Sequence, residues 1–260
     1  MRRLVIKFGR SALQDIEDFK KAAQIVQEHV RDGFQIAVVV SGMGRTQDGL
    51  TWLANQVEDE PNPHEMDLLL STAEQTSASL MALALQNCNL RAKALAGTQA
   101  GIVTTPEHGN SAICSVNSRI FEDLLRQNII PVVAGHQGST VTGEITRVGR
   151  GGSDITAVAL AKSINATRCD LYTDIDGIHA MDPVYGEKRL YEFISYQNMR
   201  RLIISGGHIV NIHAIAYAMA CEIPIRVRSI FEPDNEGTLI TSDDTCQRLA
   251  SLVQASIAAA

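Results

Sequence analysis

The run from Gln35 to Val40 is continuously apolar after its first residue and ends abruptly at Ser41-Gly42-Met43-Gly44. A strand that alternates apolar and polar residues can leave one face in water. One that does not alternate must be covered on both faces, as in a parallel sheet with helices above and below. Ile129 to Ala134 is a second such run, and Leu4 to Phe8 and Arg168 to Tyr172 are further strands. Between them lie helical periods. Ile16, Phe19, Ala22, Ala23, Val26 and Val30 share one face before Gly33, and a long apolar helix covers Met66 to Leu85. Strands alternating with helices along the whole chain predict a three-layer αβα sandwich around a mainly parallel sheet.

The remaining segments fit that frame. Helices are expected from about Thr46, over Asn117 to Gln127, Ser153 to Ile164, Tyr196 to Ile204, Ala214 to Ala220 and Thr245 to Ile257. Short strands are expected at Arg91 to Leu95, Ile225 to Val227 and Thr238 to Ile240. Glu58 to Glu65, with two prolines, reads as an exposed link, Gly97 to Asn110 as irregular, and Gly135 to Gly149 as a hairpin or flap. A chain of 260 residues suits one large α/β domain or two small ones.

Composition narrows the function. The chain is 45% apolar and 20% charged, with a net charge of −6, which argues against a nucleic-acid or anionic-membrane partner. Five scattered cysteines, none in a C-x-x-C pair, fit reduced thiols better than a disulfide framework. No run approaches a membrane span and the N-terminus lacks a signal-peptide core, so the expectation is a soluble, cytoplasmic protein. Among seven histidines there is no H-E-x-x-H pair, and no metal site is expected. Neither dinucleotide-fold nor P-loop glycine patterns occur, and no G-x-S-x-G elbow is present.

What remains is a series of polar glycine turns at strand ends, where α/β sheets hold ligands: Lys7-Phe8-Gly9, Ser41-Gly42, Gly149 to Asp154 and Thr173-Asp174. The turn Gly149-Arg150-Gly151-Gly152-Ser153-Asp154 combines bare backbone N–H groups, a planar cation and a carboxylate. Ser153 or Asp154 is placed to cap the helix that follows. It can be an anion site or simply a strand-to-helix connection. Lys7 can neutralise a transferring phosphoryl group or be an exposed strand-end lysine. Glu74, mid-helix with Leu70 and Ser77 as surface neighbours, can be functional or face solvent.

Taken together these motifs resemble the catalytic domain of the amino acid kinase superfamily, most closely the aspartate kinases. K-F-G-R-S from Lys7 is similar to that family's K-F-G-G-[ST]-S, and V-V-V-S-G-M-G ending at Gly44 to its second turn. L-L-S-T-A-E-Q-T-S from Leu69, G-E-I-T-R-V-G-R-G-G-S-D from Gly143 and L-Y-T-D-I-D-G-I from Leu171 follow in order, so the likeness runs from Leu4 to about Ile240. It implies a single kinase domain over 1–260 with an eight-stranded sheet. Its N-terminal half would hold the amino acid and its C-terminal half ATP with Mg²⁺.

By the resemblance, Lys7 and Asp154 are catalytic. Ser41, Glu74, Arg150, Gly151, Gly152 and Ser153 hold the substrate, with Arg150 on its α-carboxylate and Glu74 and Asp154 facing its ammonium group. Gly9, Ser11, Thr173, Asp174, His179 and His208 border the nucleotide. The implied reaction is phosphorylation of the aspartate side-chain carboxylate. That group has a reference pKa of about 3.9 and needs no general base. Alternatives are a different amino acid or modified aspartate as acceptor, or a degenerate member that binds an amino acid as a regulatory or scaffold subunit. The resemblance further implies a homodimer. A chain ending soon after the kinase domain, without C-terminal regulatory domains, would leave room for a separate regulatory subunit.

The sequence departs from the family pattern on the nucleotide side. Arg10 stands for the second glycine of the first turn, His179 for a tyrosine, Val184 for an arginine and His208 for a lysine. Two cations aimed at ATP are therefore lost or weakened.

Overall fold

The computed structural model describes residues 2–181, 188–206 and 210–258, with backbone alone at 180, 181, 188, 189 and 253–258. The chain begins β1 (Arg2–Phe8), a 3₁₀ turn (Arg10–Ala12), α1 (Ile16–Arg31), β2 (Phe34–Val40), α2 (Thr46–Val57), α3 (Pro63–Asn87) and β3 (Ala92–Leu95). It continues through β4 (Ile102–Thr104), β5 (Ile113–Val116), α4 (Ser118–Arg126), β6 (Ile130–Ala134), β7 (Gln137–Ser139), β8 (Ile145–Arg147) and α5 (Gly152–Ser163). The last part holds β9 (Arg168–Thr173), β10 (His179–Met181), β11 (Lys188–Leu190), β12 (Phe193–Ser195), α6 (Tyr196–Ile204), α7 (Ile212–Cys221), β13 (Ile225–Ser229), β14 (Thr238–Thr241) and α8 (Asp243–Ala258).

Eight strands form the main sheet in the order β12-β14-β13-β9-β1-β2-β6-β3. All neighbouring pairs in it are parallel except β13–β14. The unbroken apolar strands are buried on both sides. Leu4, Ile6 and Phe8 of β1 and Ile36, Val38 and Val40 of β2 belong to one core with Phe19, Ala22 and Val26 of α1 and Met81 and Leu85 of α3. Val5, Ala37 and Val39 point the other way, into a second core with α4, α5, α6 and α7. Each fully buried Val, Leu, Ile or Phe contributes about 1.5–3 kcal/mol, so a polar residue on these strands would be strongly destabilising. The αβα expectation holds.

Caps set the helix ends. Asp15 accepts the N–H groups of Glu17 and Asp18 ahead of α1, and Asn62 accepts that of His64 ahead of α3. Pro63, read from the sequence as part of a link, instead opens α3, where its missing N–H leaves nothing unsatisfied. Helix α2 packs shallowly: none of its residues is buried, and Trp52, Leu53 and Val57 are exposed.

Three expectations change. The stretch from Gly97 to Asn110, read as irregular, contains β4, which joins β5, β7 and β8 in a smaller four-stranded sheet. Three residues flanked by Gly101 and Pro106 are too few to show a period. Strands β10, β11 and β12 escaped for the same reason. Neither Ser153 nor Asp154 caps α5: the N-cap is Gly151, in the left-handed region at φ +75°, with no side-chain cap. Asp154 lies within the first turn.

Candidate active site

The C-terminal ends of β1, β2 and β9 lie side by side, with Lys7 in register with Val39 on one side and Leu171 on the other. Lys7 shares the face of β1 that carries Val5, so its side chain points toward α5. There Lys7 Nζ meets Asp154 Oδ1 at 2.7 Å, both side chains being mostly buried. The exposed strand-end reading of Lys7 is thereby excluded.

Two glycines make this meeting possible. Gly151 carries the left-handed φ, and a Cβ there would lie 2.2 Å from Asn211 Nδ2. Asn211 packs into that space, donating through Nδ2 to the Arg150 carbonyl at 2.9 Å and through its backbone N–H to Asp154 Oδ2 at 3.4 Å. A Cβ at Gly152 would lie 2.5 Å from the His136 ring. The glycine pair thus brings the start of α5 close to both neighbours and aims Asp154 at Lys7.

Two clefts open on this ion pair. The smaller, about 210 Å³, is lined by Ser41, Gly42, Gln47, Glu74, His136 and Gly151 to Asp154, together with Lys7 and Arg10. The larger, about 490 Å³, is lined by Lys7, Gly9, Arg10, Ser11, Arg45, Asp48, Asp154, Tyr172 and Thr173, with apolar Leu171, Val210 and Val227. Lys7, Arg10 and Asp154 line both.

In the smaller cleft Glu74 is 1% exposed, against the usual solvent-facing place of a helical glutamate. Gln47 Nε2 donates to its Oε1, and His136 Nδ1 lies 3.9 Å away. Burial pushes the Glu74 carboxyl up to about 7, only partly opposed by the positive charge of Arg147. Burial, reinforced by the same Arg147, pushes His136 down to about 4, so its ring is neutral at pH 7. The helix behind them is anchored: Ser77 Oγ accepts the Met43 N–H at 2.9 Å, tying α3 to the second glycine turn.

At the larger cleft, Ser11 and Thr173 hydroxyls are 3.0 Å apart, and Thr173 Oγ1 donates to Asp174 Oδ1 at 2.8 Å. Hydrogen bonding from Ser11, then Thr173, holds the Asp174 carboxyl below its ordinary value. Gly9 N–H donates to the Tyr172 carbonyl at 2.9 Å, which fixes the first turn against β9.

Not every expected residue converges. The Arg150 and Asp174 side chains are exposed and line neither cleft. His179 Nε2 donates to Asp176 Oδ1 at 2.7 Å, also outside both linings, and its buried Nδ1 has no hydrogen-bond partner among the described residues. His208 and Val184 lie outside the described residues. Conversely, Gln47, His136 and Arg147 were not singled out from sequence. His136 follows strand β6 directly through Gly135, so the strand-end logic applied to Lys7 and Thr173 would have found it.

The sequence model of the amino acid kinase family matches residues 2–229. The chain belongs to the amino acid kinase family. Among relatives of this kinase-family chain, the aspartokinase of Geobacillus stearothermophilus is 42% identical over 241 residues, covering 92% of this chain and 59% of its own. The crystal structure of aspartate kinase from Synechocystis aligns with a TM-score of 0.80 at 38% identity, over 92% of this chain and 40% of that one. E. coli aspartokinase III, in complex with aspartate and ADP, shares the fold with a TM-score of 0.77 at 22% identity, over 92% of this chain and 64% of that one. The amino acid kinase chain here therefore spans about three fifths of the length of the curated relative it matches. No helix among its described residues is long and apolar enough to cross a membrane.

Proposed function

We propose that this chain catalyses ATP-dependent phosphorylation of the side-chain carboxylate of aspartate, giving 4-phospho-aspartate. The observation that carries the reading is the Lys7–Asp154 ion pair, which stands on the border of two clefts and lines both. A phosphoryl group passing from one cleft to the other must pass Lys7.

The two charges hold each other until ligands arrive. Lys7 then turns to the negative charge spread over the transferring group, which needs positioning and neutralisation rather than covalent help. Asp154, freed of part of that interaction, joins Glu74 in facing the substrate ammonium. Glu74 is suited to that role because its buried carboxyl lines the smaller cleft and makes no ion pair with a Lys or Arg among the described residues. Arg150, exposed beside the glycine pair and with no ion pair among the described residues, is free to fold over the α-carboxylate. A bidentate guanidinium suits that group.

The larger cleft fits a nucleotide by its lining of three cations and apolar Leu171, Val210 and Val227. Magnesium bound with a nucleotide takes most of its oxygens from phosphate and water and needs one or two carboxylates. Asp174, which follows Thr173 of that lining and is kept ionised by its hydroxyl neighbours, would supply such a carboxylate at the cleft's edge. Such a metal supplies charge neutralisation on the phosphates. The E. coli relative bound to aspartate and ADP supports the pairing of ligands.

The test is ADP release with aspartate and Mg-ATP, with the acyl phosphate trapped by hydroxylamine, over a panel of acceptor amino acids. Turnover with aspartate is expected. Exclusive turnover of another acceptor moves the substrate assignment, and failure to bind Mg-ATP at all would favour the scaffold alternative.

A further inference from the structure

We propose that Arg10 is a phosphate-binding residue of this chain, a guanidinium stationed over the border of the two clefts to receive the terminal phosphates of the nucleotide. This rests on the kinase reading of the clefts. The family pattern has glycine at this position, so the site belongs to this sequence and not to the shared motif.

Arg10 follows Gly9 in the first turn, yet its side chain reaches the second. Its Nε donates to the Gly44 carbonyl at 2.6 Å, and its Nη2 pairs with Asp48 Oδ2 at 2.5 Å on α2. These bonds hold the planar group across the gap between the two turns, and its remaining Nη1 makes no hydrogen bond or ion pair among the described residues. The guanidinium lines both clefts, as only Lys7 and Asp154 also do. Its charge reaches Glu74 at the far end of the smaller cleft, behind the larger effect of Arg147.

Charge arithmetic gives the group its task. In the larger cleft three cations, Lys7, Arg10 and Arg45, face two carboxylates, Asp48 and Asp154. One of each is consumed in the Lys7–Asp154 pair. Without Arg10 the lining would be neutral, a poor place for a polyphosphate. Asp48 is half exposed and within reach of Arg45 at 3.6 Å, so it has a replacement partner when Arg10 turns to a phosphate. A fork of N–H donors matches phosphate oxygens in pairs.

Calorimetric titration with AMP, ADP, ATP and inorganic tripolyphosphate, each with Mg²⁺, tests this on wild type, Arg10→Ala and Arg10→Lys. Arg10→Ala is expected to weaken ATP and tripolyphosphate by about tenfold or more, the loss of a charge-assisted hydrogen bond, while AMP binds as before. Unchanged AMP affinity also reports that the variant is folded. Arg10→Lys should recover part of the loss, since charge returns without the fork. Equal weakening of AMP and ATP would make Arg10 a structural tie between the turns and overturn the assignment, as would wild-type affinity for ATP in Arg10→Ala. Wild type that binds tripolyphosphate through Arg10 but no nucleotide would sink the kinase reading and leave the phosphate site standing.

Discussion

Lys7 and Asp154, 147 residues apart in sequence, meet at 2.7 Å where β1 ends and α5 begins. Because the two clefts share this pair, its halves are expected to separate kinetically. Lys7→Met should lower kcat by about 10²- to 10³-fold, the loss of one preorganised charge at the transferring group. Asp154→Asn should act mainly on the KM of the amino acid. Steady-state kinetics varying each substrate in turn checks both. Equal effects of Asp154→Asn on the two KM values would show that its role is not confined to holding the amino acid.

Amino-acid binding should release protons near neutral pH. Glu74 has its carboxyl pushed up to about 7, so at pH 7 it is protonated in about half the molecules. An arriving ammonium favours the carboxylate and expels that proton. Calorimetry at pH 7 in buffers of different ionisation enthalpy should give about half a proton per binding event, falling toward none at pH 9. Glu74→Gln should abolish the buffer dependence.

Glu74 and His136 make opposite contributions to acid stability. The Glu74 carboxyl is raised from 4.5 to about 7, so the folded state takes up its proton first, and stability rises as pH falls from 7 to 4.5. The His136 ring is lowered from 6.5 to about 4, so the unfolded state protonates first, and stability falls as pH drops from 6.5 to 4. Each shift corresponds to about 3 kcal/mol, and the two nearly cancel over a shared window. Urea melts at pH 7 and pH 5 should therefore lose stability in Glu74→Gln and gain it in His136→Gln, relative to wild type.

Gly151→Ala should destabilise the fold by about 1–3 kcal/mol, from the left-handed φ and the collision with Asn211 together. Adding Asn211→Gly, which also removes the Asn211 Cβ that would lie 2.5 Å from the new one, should relieve the collision and leave the backbone part. Denaturant melts of the two single variants and the double variant separate the terms. Full additivity would show that the two residues do not press on each other.

The sheet was legible because strands such as Gln35 to Val40 need cover on both faces, a demand written in consecutive residues. The first two turns were legible because Gly9 and Gly42 sit where such strands end. The Lys7–Asp154 contact was not, since it depends on parallel register and on which face of β1 meets α5. Position alone left Lys7 open between two roles, and only its neighbours removed the solvent-facing one. Glu74 was ambiguous for a related reason: the buried Leu70 and Ser77 beside it do not say whether a carboxylate is sealed in with them. Strand β4 was missed because three residues cannot establish an alternation.

Helix α2 buries none of its residues, yet it sends Gln47 to Glu74 in one cleft and Asp48 to Arg10 at the edge of the other. Held by polar contacts rather than by a core, it has little buried apolar surface to lose by shifting when either cleft fills. The chain's single tryptophan, Trp52, is exposed on that same helix. Its emission is therefore expected to report any shift of α2 as a cleft fills, with no added label.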